Sequence, residues 1–246
     1  MSSLSDQFHI LPSVDSTNNY AMAKAHAGMA KSGDCYFTPL QINGKGQMGK
    51  QWLSGENENI ALSIVVAPDG LKIPDQFYLS AVVSIACLDF FTAYAGDETK
   101  IKWPNDIYWR DRKAGGILIE NVFKGKDWLW SVIGIGLNLN QGAFDDQLKN
   151  PVSLKQITGK NFDTVELARQ LHLKVYNAII ELKANSFETV LERYNSLLFK
   201  LNERVKLKKG TAVFETVIKG VNEQGQLLTM DTLPQEFNFG EVSWVL

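Results

Sequence analysis

Apolar and polar positions change rhythm along this chain, and each rhythm predicts an element. Residues 14–27, VDSTNNYAMAKAHA, open on Asp and Ser, good capping types, and run into helix formers, which predicts a helix. DCYFTPL, at 34–40, is short and β-rich, and ENIALSIVVAP, at 58–68, reads as a buried strand. Residues 75–95, DQFYLSAVVSIACLDFFTAYA, are apolar nearly throughout and too long for a strand, so a buried helix is expected. IKWPND and DIYW flank a turn. KAGGILIENVF at 113–123 and DWLWSVIGIGLNLN at 127–140 predict two adjacent strands joined near Gly125 as a hairpin. Residues 141–161 carry Gly, Asn-Pro and Thr-Gly and predict a loop, followed by amphipathic helices near 163–183 and 186–200. From Asn202 the texture becomes short strands at tight spacing, with turns at Lys209-Gly210, Gly220 and Gln224-Gly225, which predicts a small β-barrel. A domain boundary is expected near 200, dividing 1–200 from 201–246.

Composition narrows the class. The 246 residues carry 25 Lys and Arg against 27 Asp and Glu, without the basic excess of a generic nucleic-acid binder. The start, MSSLSDQFHILPSVDST, lacks a basic segment followed by an apolar run, and no stretch reaches the ~18 consecutive apolar residues of a membrane span. Cys35 and Cys87 sit in apolar surroundings, as small buried hydrophobes do. A cytoplasmic protein that binds neither membrane nor nucleic acid is expected.

Three stretches carry candidate chemistry. INGKGQMGKQW, Ile42 to Trp52, alternates glycines with Lys45 and Lys50 and contains no acidic residue. Such a loop lets backbone N–H groups approach an anion, although it is neither a Walker loop nor a GxGxxG turn, and a solvated surface loop has the same look. KWPND, Lys102 to Asp106, precedes Lys113, which opens a strand beginning Ala-Gly-Gly. Small residues there leave space in which a lysine can reach a carboxylate or phosphate; an exposed strand-end lysine is the plainer alternative. GIGLNLN, Gly134 to Asn140, again removes side chains at a strand end, and Asn138 is either an amide for a polar ring or a turn residue.

Together and in this order, the three stretches resemble the biotin protein ligases, whose motifs take the form GRGRxGRxW, KWPND, K-x-x-G-[IV] and G-x-G-x-N-x-N. Here they stand as Gly44-Lys45-Gly46-Gln47-Met48-Gly49-Lys50-Gln51-Trp52, Lys102 to Asp106, Lys113 to Ile117 and Gly134 to Asn140. Ser16-Thr17-Asn18 matches the family's early Ser-Thr-Asn, and Gln41 its glutamine before the loop. The resemblance spans essentially the whole chain. It implies an α/β (α+β) fold, class II synthetase-like, with a mixed sheet and packed helices, then an SH3-like barrel. It implies two steps, in which biotin and ATP form biotinyl-5′-adenylate and a carrier-domain lysine then takes the biotin. ATP, Mg²⁺ and biotin are the expected small molecules, and a biotin carboxyl carrier domain the expected partner.

The resemblance also assigns roles. Lys113, Asp106 and Lys45 are the catalytic candidates. Biotin falls to Ser16, Thr17, Asn18, Gln41, Gly44, Lys45, Trp52, Lys113, Gly115, Gly116 and Gly134. ATP and the adenylate fall to Lys45, Gly46, Gln47, Met48, Gly49, Lys50, Trp52, Asn105, Lys113 and Asn138. No dedicated protein ligands to a metal are expected. The winged helix of some members has no room before Ser16, which argues against DNA binding. The departures are in the loop: Lys45, Gln47 and Lys50 stand where the family commonly has Arg, so the bidentate fork is lost and, at Gln47, the charge too.

Rival readings are a lipoate or octanoate ligase, whose arginine- and glycine-rich signature is not visible, and a non-catalytic biotin- or nucleotide-binding module. His9, His26 and His172 show no metal-ligand spacing. Trp128 and Trp130 alternate on a strand, so both rings are expected on one side, in packing. Lys206, Lys208 and Lys209 read as a solvated strand edge, with attraction of an acidic carrier as the alternative. A homodimer is a further possibility, with the strands at 114–122 and 127–138 supplying a sheet edge.

Overall fold

The computed structural model describes residues 4–245 apart from Gln147 and Asn185. β1 (Phe8–Ile10) leads to α1 (Thr17–His26), β2 (Cys35–Phe37), the two-residue strands β3 (Gly44–Lys45) and β4 (Gln51–Trp52), β5 (Asn59–Val66) and the long helix α2 (Gln76–Ala95). β6 (Thr99–Lys102), β7 (Asp106–Trp109), β8 (Arg112–Lys124) and β9 (Asp127–Asn138) follow, then α3 (Leu154–Thr158), α4 (Thr164–Ile180) and α5 (Phe187–Ser196). The chain ends in β10 (Arg204–Lys209), β11 (Ala212–Val221), β12 (Leu227–Met230), β13 (Pro234–Phe237) and β14 (Ser243–Val245).

Seven strands form one mixed sheet in the order β1-β2-β5-β9-β8-β7-β6, with β1 and β2 parallel and the other neighbours antiparallel. Strand alternation divides its residues between two faces. Ile60, Leu62 and Ile64 of β5 and Ile133, Ile135 and Leu137 of β9 join the main core with α2 and α4. α2 contributes Leu79, Val83, Cys87 and Phe91, four residues apart along one stripe and fully buried. Truncating a side chain as buried as Phe91 to Ala typically costs about 3–5 kcal/mol. On the other face Val65 and Val132 pack with Ala21 and Ala25 of α1. α1 begins where Ser16 caps it, Oγ accepting from the Asn19 N–H. Of the described helices, only Ile73–Ala95 is long and apolar enough to cross a membrane, and most of it is buried in this core.

The last five strands form a separate antiparallel sheet, β13-β12-β11-β10-β14. Its Leu207, Ile218 and Leu227 belong to the same continuous apolar cluster as the main sheet.

Several expectations change. β1 was not foreseen: it is three residues long and gains stability by pairing with β2 and burying Phe8 in the main core. The loop at 141–161 contains α3, capped by Ser153. The helices expected at 163–183 and 186–200 are shorter, α4 passing into a 3₁₀ turn at Glu181–Ala184 and α5 ending at Ser196. Trp128 and Trp130 do not share a side, because a β-bulge between Val122 and Phe123 breaks the alternation. Trp128 enters the main core and Trp130 packs on the α1 cluster. β10, carrying Lys206, Lys208 and Lys209, is not an edge: it lies between β11 and β14, and its three lysines are exposed. β7 pairs β8 only as far as Gly116 and β5 pairs β9 only from Ser131, so 117–124 and 127–130 each keep one edge without a strand partner among the described residues.

His172 on α4 is buried, and its Nε2–H donates to the Gly33 carbonyl at 2.9 Å. Burial holds its pKa below the usual 6.5, opposed by that hydrogen bond and by Asp34. The unfolded chain therefore takes up a proton near pH 6.5 that the folded chain resists. Stability should be level in this respect above pH 6.5 and fall as pH drops below it. Urea midpoints at pH 7.5 and pH 5.5 should differ less in His172→Gln, whose amide does not titrate; an equal difference in both proteins would show that His172 does not contribute.

Candidate functional site

The sheet face opposite α2 is unusually bare along one row. Cross-strand register aligns Ala61 on β5, Gly136 on β9, Gly116 on β8, Asp106 on β7 and Lys102 on β6. The next row holds Ser63, Gly134 and Leu118. Large apolar residues face the core and small ones alternate with them, so the same strands that build the core leave a trough above it. A cavity of about 790 Å³ opens over the trough, in the range of small-molecule sites.

One end of the trough is polar and buried. Gln41 Oε1 accepts from Thr17, from its backbone N–H at 2.9 Å and its hydroxyl at 3.2 Å. Ser63 Oγ bonds Thr17 Oγ1 at 2.8 Å and Asn18 Oδ1 at 2.5 Å, and Asn18 Nδ2 donates to Glu120 at 2.9 Å. Ser16, Thr17, Asn18 and Gln41 all line the cavity. A connected network of this kind holds each group in one orientation. Gly134 is backed directly by the Asn18 side chain, where a Cβ has no room.

The glycine loop covers the middle. β3 and β4 pair Gly44 with Trp52. The Trp52 indole lies over Gly136, where a Cβ would meet ring atoms at 2.5–2.9 Å. The turn between them needs left-handed backbone at Met48 (φ 53°) and Gly49 (φ 74°). Gln47 Nε2 donates to the Ile117 carbonyl at 3.3 Å. Gln47 Oε1 and Trp52 Nε1 are buried cavity-lining groups with no hydrogen-bond partner among the described residues. An unpaired acceptor and an unpaired donor on a cavity wall are groups a polar ligand would satisfy.

The other end is cationic. Lys113 Nζ lies 2.6 Å from Asp106 Oδ1. Gly116 lies beneath the pair: a Cβ there would stand 3.3 Å from Asp106 and 3.5 Å from Lys113 Nζ, in close contact with both. Asn138 Nδ2 ties the Lys113 carbonyl, at 3.4 Å, to that of Val152, at 3.1 Å. Asn105 Nδ2 donates to the Ile117 carbonyl at 2.7 Å, and the Trp103–Pro104 bond is cis. Lys102 is buried, its Nζ 3.1 Å from the Tyr108 hydroxyl and 5.4 Å from the Trp244 ring centroid. Burial lowers its pKa from 10.5 to about 8; Asp106 works against that, and Lys113, Lys50 and Lys149 reinforce it. Asp106 is the one carboxylate among the described lining residues.

Of the expected residues, Gly46, Met48 and Lys50 also line the cavity, as does Lys45, whose Nζ is 3.8 Å from Glu120. Gly44, Gly49 and Gly115 do not line it. Gly44 leaves room for Gln41 and Trp52, and Gly115 for Leu137, so their missing side chains serve close packing. Residues the sequence did not point to include Ser63, signalled only as the one hydroxyl in an apolar run, and Glu120. Lys102 stood inside a motif without a role, and Lys149 and Trp244 carried no signal. Among the described residues no group of three or more His, Cys, Asp or Glu could hold a metal.

Residues 10–138 match the Biotin/lipoate A/B protein ligase family, which is just over half of the chain. The bifunctional ligase/repressor BirA of Escherichia coli is 30% identical over 237 residues, covering 95% of this chain and 73% of that one. A biotin–[acetyl-CoA-carboxylase] ligase of Paracoccus denitrificans is 28% identical, covering 89% and 92%. A biotin protein ligase from Aquifex aeolicus, solved in complex with biotin and ATP, superposes with a TM-score of 0.80 at 25% identity, covering 96% and 97%. A match across both halves of the trough, and relatives aligned over nearly its whole length, mean that the chain belongs to the biotin/lipoate A/B protein ligase family.

Proposed function

We propose that this protein is an ATP-dependent biotin protein ligase, which makes biotinyl-5′-AMP and passes the biotin to a lysine of a biotin carboxyl carrier domain. The observation that carries it is the trough itself: a neutral polar end, a bare apolar floor, and a cationic end centred on Lys113 and Asp106. Ser16, Thr17, Asn18 and Gln41 suit the carbonyl and N–H groups of a ureido ring, with Gly134, Gly116 and Trp52 shaping the floor. Gly44 and Gly115 act indirectly, by letting their neighbours close in. Lys113 meets the biotin carboxylate and the α-phosphate, and Lys45 and Lys50 bring charge from the loop. Gly46, Gln47, Met48, Asn105 and Asn138 complete the adenylate side, with Asn138 acting by fixing the Lys113 backbone and Gly49 acting indirectly, through the left-handed turn of the loop.

In the first step a biotin carboxylate oxygen attacks the α-phosphorus, and the bond to the bridging oxygen breaks as pyrophosphate leaves with its electron pair. In the second, the carrier amine attacks the acyl carbon, AMP leaves, and Asp106 orients the amine and takes its proton. Magnesium would supply charge neutralisation when bound with ATP, and Asp106 is the one carboxylate among the described lining residues that could help hold it. Closure of the loop would keep water from the anhydride.

The C-terminal sheet is proposed as an SH3-like barrel forming a second domain, 201–246, after a catalytic domain, 1–200. A cytoplasmic setting fits the free, buried Cys35 and Cys87. We propose no nucleic-acid partner. A homodimer would use the sheet edge that β8 leaves open beyond Gly116.

The deciding experiment offers the purified protein Mg-ATP with biotin or lipoate and reads the acyl-adenylate by mass spectrometry. Biotinyl-adenylate that is consumed on adding a carrier domain is expected. Lipoyl-adenylate alone would make it a lipoate ligase, and bound biotin without any adenylate would make it a binding module.

Gln47 lowers the affinity for the product of the first step. Gln47→Arg adds a charge and a two-pronged donor to the cavity wall, and should slow adenylate dissociation about tenfold. A chase with unlabelled biotin measures it; equal rates would reject the idea.

A further inference from the structure

Lys149 is delivered to the site by backbone pairing. The Lys113 N–H donates to the Asn150 carbonyl at 2.7 Å, and the Val152 N–H to the Lys113 carbonyl at 2.8 Å, with Pro151 bridged to Lys113 in parallel. Asn138 clamps the Lys113 and Val152 carbonyls, and Asn150 Nδ2 donates to the Asp111 carbonyl at 3.2 Å. The segment after β9 is thus fastened to the first residues of β8, and Lys149 lines the cavity beside Lys113.

Its charge has a different standing from that of its neighbour. Lys113 is neutralised by Asp106 and Lys45 faces Glu120, whereas no ion pair is found for Lys149, Lys50 or Lys102 among the described salt bridges. These three are close enough that Lys149 and Lys50 both disfavour the charged form of buried Lys102. Concentrating like charges is costly, and a bound polyanion relieves the cost. The α-phosphate reaction uses Lys113, and of the three remaining cations lining the same cavity Lys102 is held against Tyr108 and Trp244.

Resting on the ligase reading, we propose that Lys149, with Lys50 and buried Lys102, forms the subsite for the leaving pyrophosphate. When the α-phosphorus–oxygen bond breaks, the electron pair stays on the bridging oxygen, and the added negative charge develops where these ammonium groups gather. Lys149 is then a contact to the leaving group and plays no part in transfer of biotin from the adenylate.

The test is the reverse reaction. In biotin-dependent ATP–pyrophosphate exchange, Lys149→Gln should raise the KM for pyrophosphate about tenfold, the loss expected for one charge-assisted phosphate contact. Lys149→Arg should recover most of it. Transfer to a carrier from preformed biotinyl-AMP should be unchanged in both. An unchanged KM for pyrophosphate, or an equal loss in transfer from preformed adenylate, would overturn the proposal. Calorimetric binding of inorganic pyrophosphate separates this from the ligase reading, because it needs no turnover. A tenfold weaker affinity in Lys149→Gln supports the subsite even if the native protein shows no biotin-dependent exchange, and equal affinities reject it.

Discussion

Lys113→Ala should reduce biotin-dependent ATP–pyrophosphate exchange by about two to three orders of magnitude. Two anions must meet in the first step, and Lys113 is the cation at the meeting point, 2.6 Å from Asp106 and above the glycine trough. Removing it deletes the charge and leaves Asp106 to repel both reactants. The fold should survive. The pair is partly exposed, with side-chain exposures of 34% and 19%, so screening limits its contribution to stability to about 1 kcal/mol or less. The melting temperature should move little while exchange collapses, and Lys113→Arg should recover part of the rate. Exchange within tenfold of the native rate would remove Lys113 from the chemistry.

Asp106→Asn should separate the two steps. Adenylate formation needs positive charge, and the change frees Lys113 from its partner, so that step should stay within about tenfold of native. Transfer needs a group to orient the carrier amine and accept its proton, and should slow by about two to three orders of magnitude. Single-turnover transfer from preformed biotinyl-AMP, followed against pH, measures the loss; in the variant, higher pH should restore part of the rate by supplying neutral amine. An equal fall in both steps would mean that Asp106 acts only through Lys113. Unimpaired transfer would reject its role.

Local pattern carried the elements well where it was long and regular. α2 and the β8–β9 pair announced themselves by length and by alternation. The errors fell where tertiary context outweighed local signal. β1 is too short to have a pattern, and exists because β2 offers it hydrogen-bonding groups. Trp128 and Trp130 follow strict alternation in the sequence, but a bulge in the hairpin separates them. Lys206, Lys208 and Lys209 have the polarity of an edge strand, yet β14 returns from the chain end to cover that edge.

The candidate site was legible as a set of motifs and illegible as a geometry. Sequence alone determined which residue types could serve an acyl-adenylate, because charge, hydroxyls and absent side chains belong to the residues themselves. Only the folded sheet decided what each does. Register across five strands, not order along the chain, aligned Ala61, Gly136, Gly116, Asp106 and Lys102 into one row. Packing made Gly134 a seat for Asn18 and Gly136 a seat for Trp52. Burial against Tyr108 and Trp244 set the pKa of Lys102, and backbone pairing brought Lys149 beside Lys113. These are properties of distances between residues far apart in the chain, and distance is what the sequence does not carry.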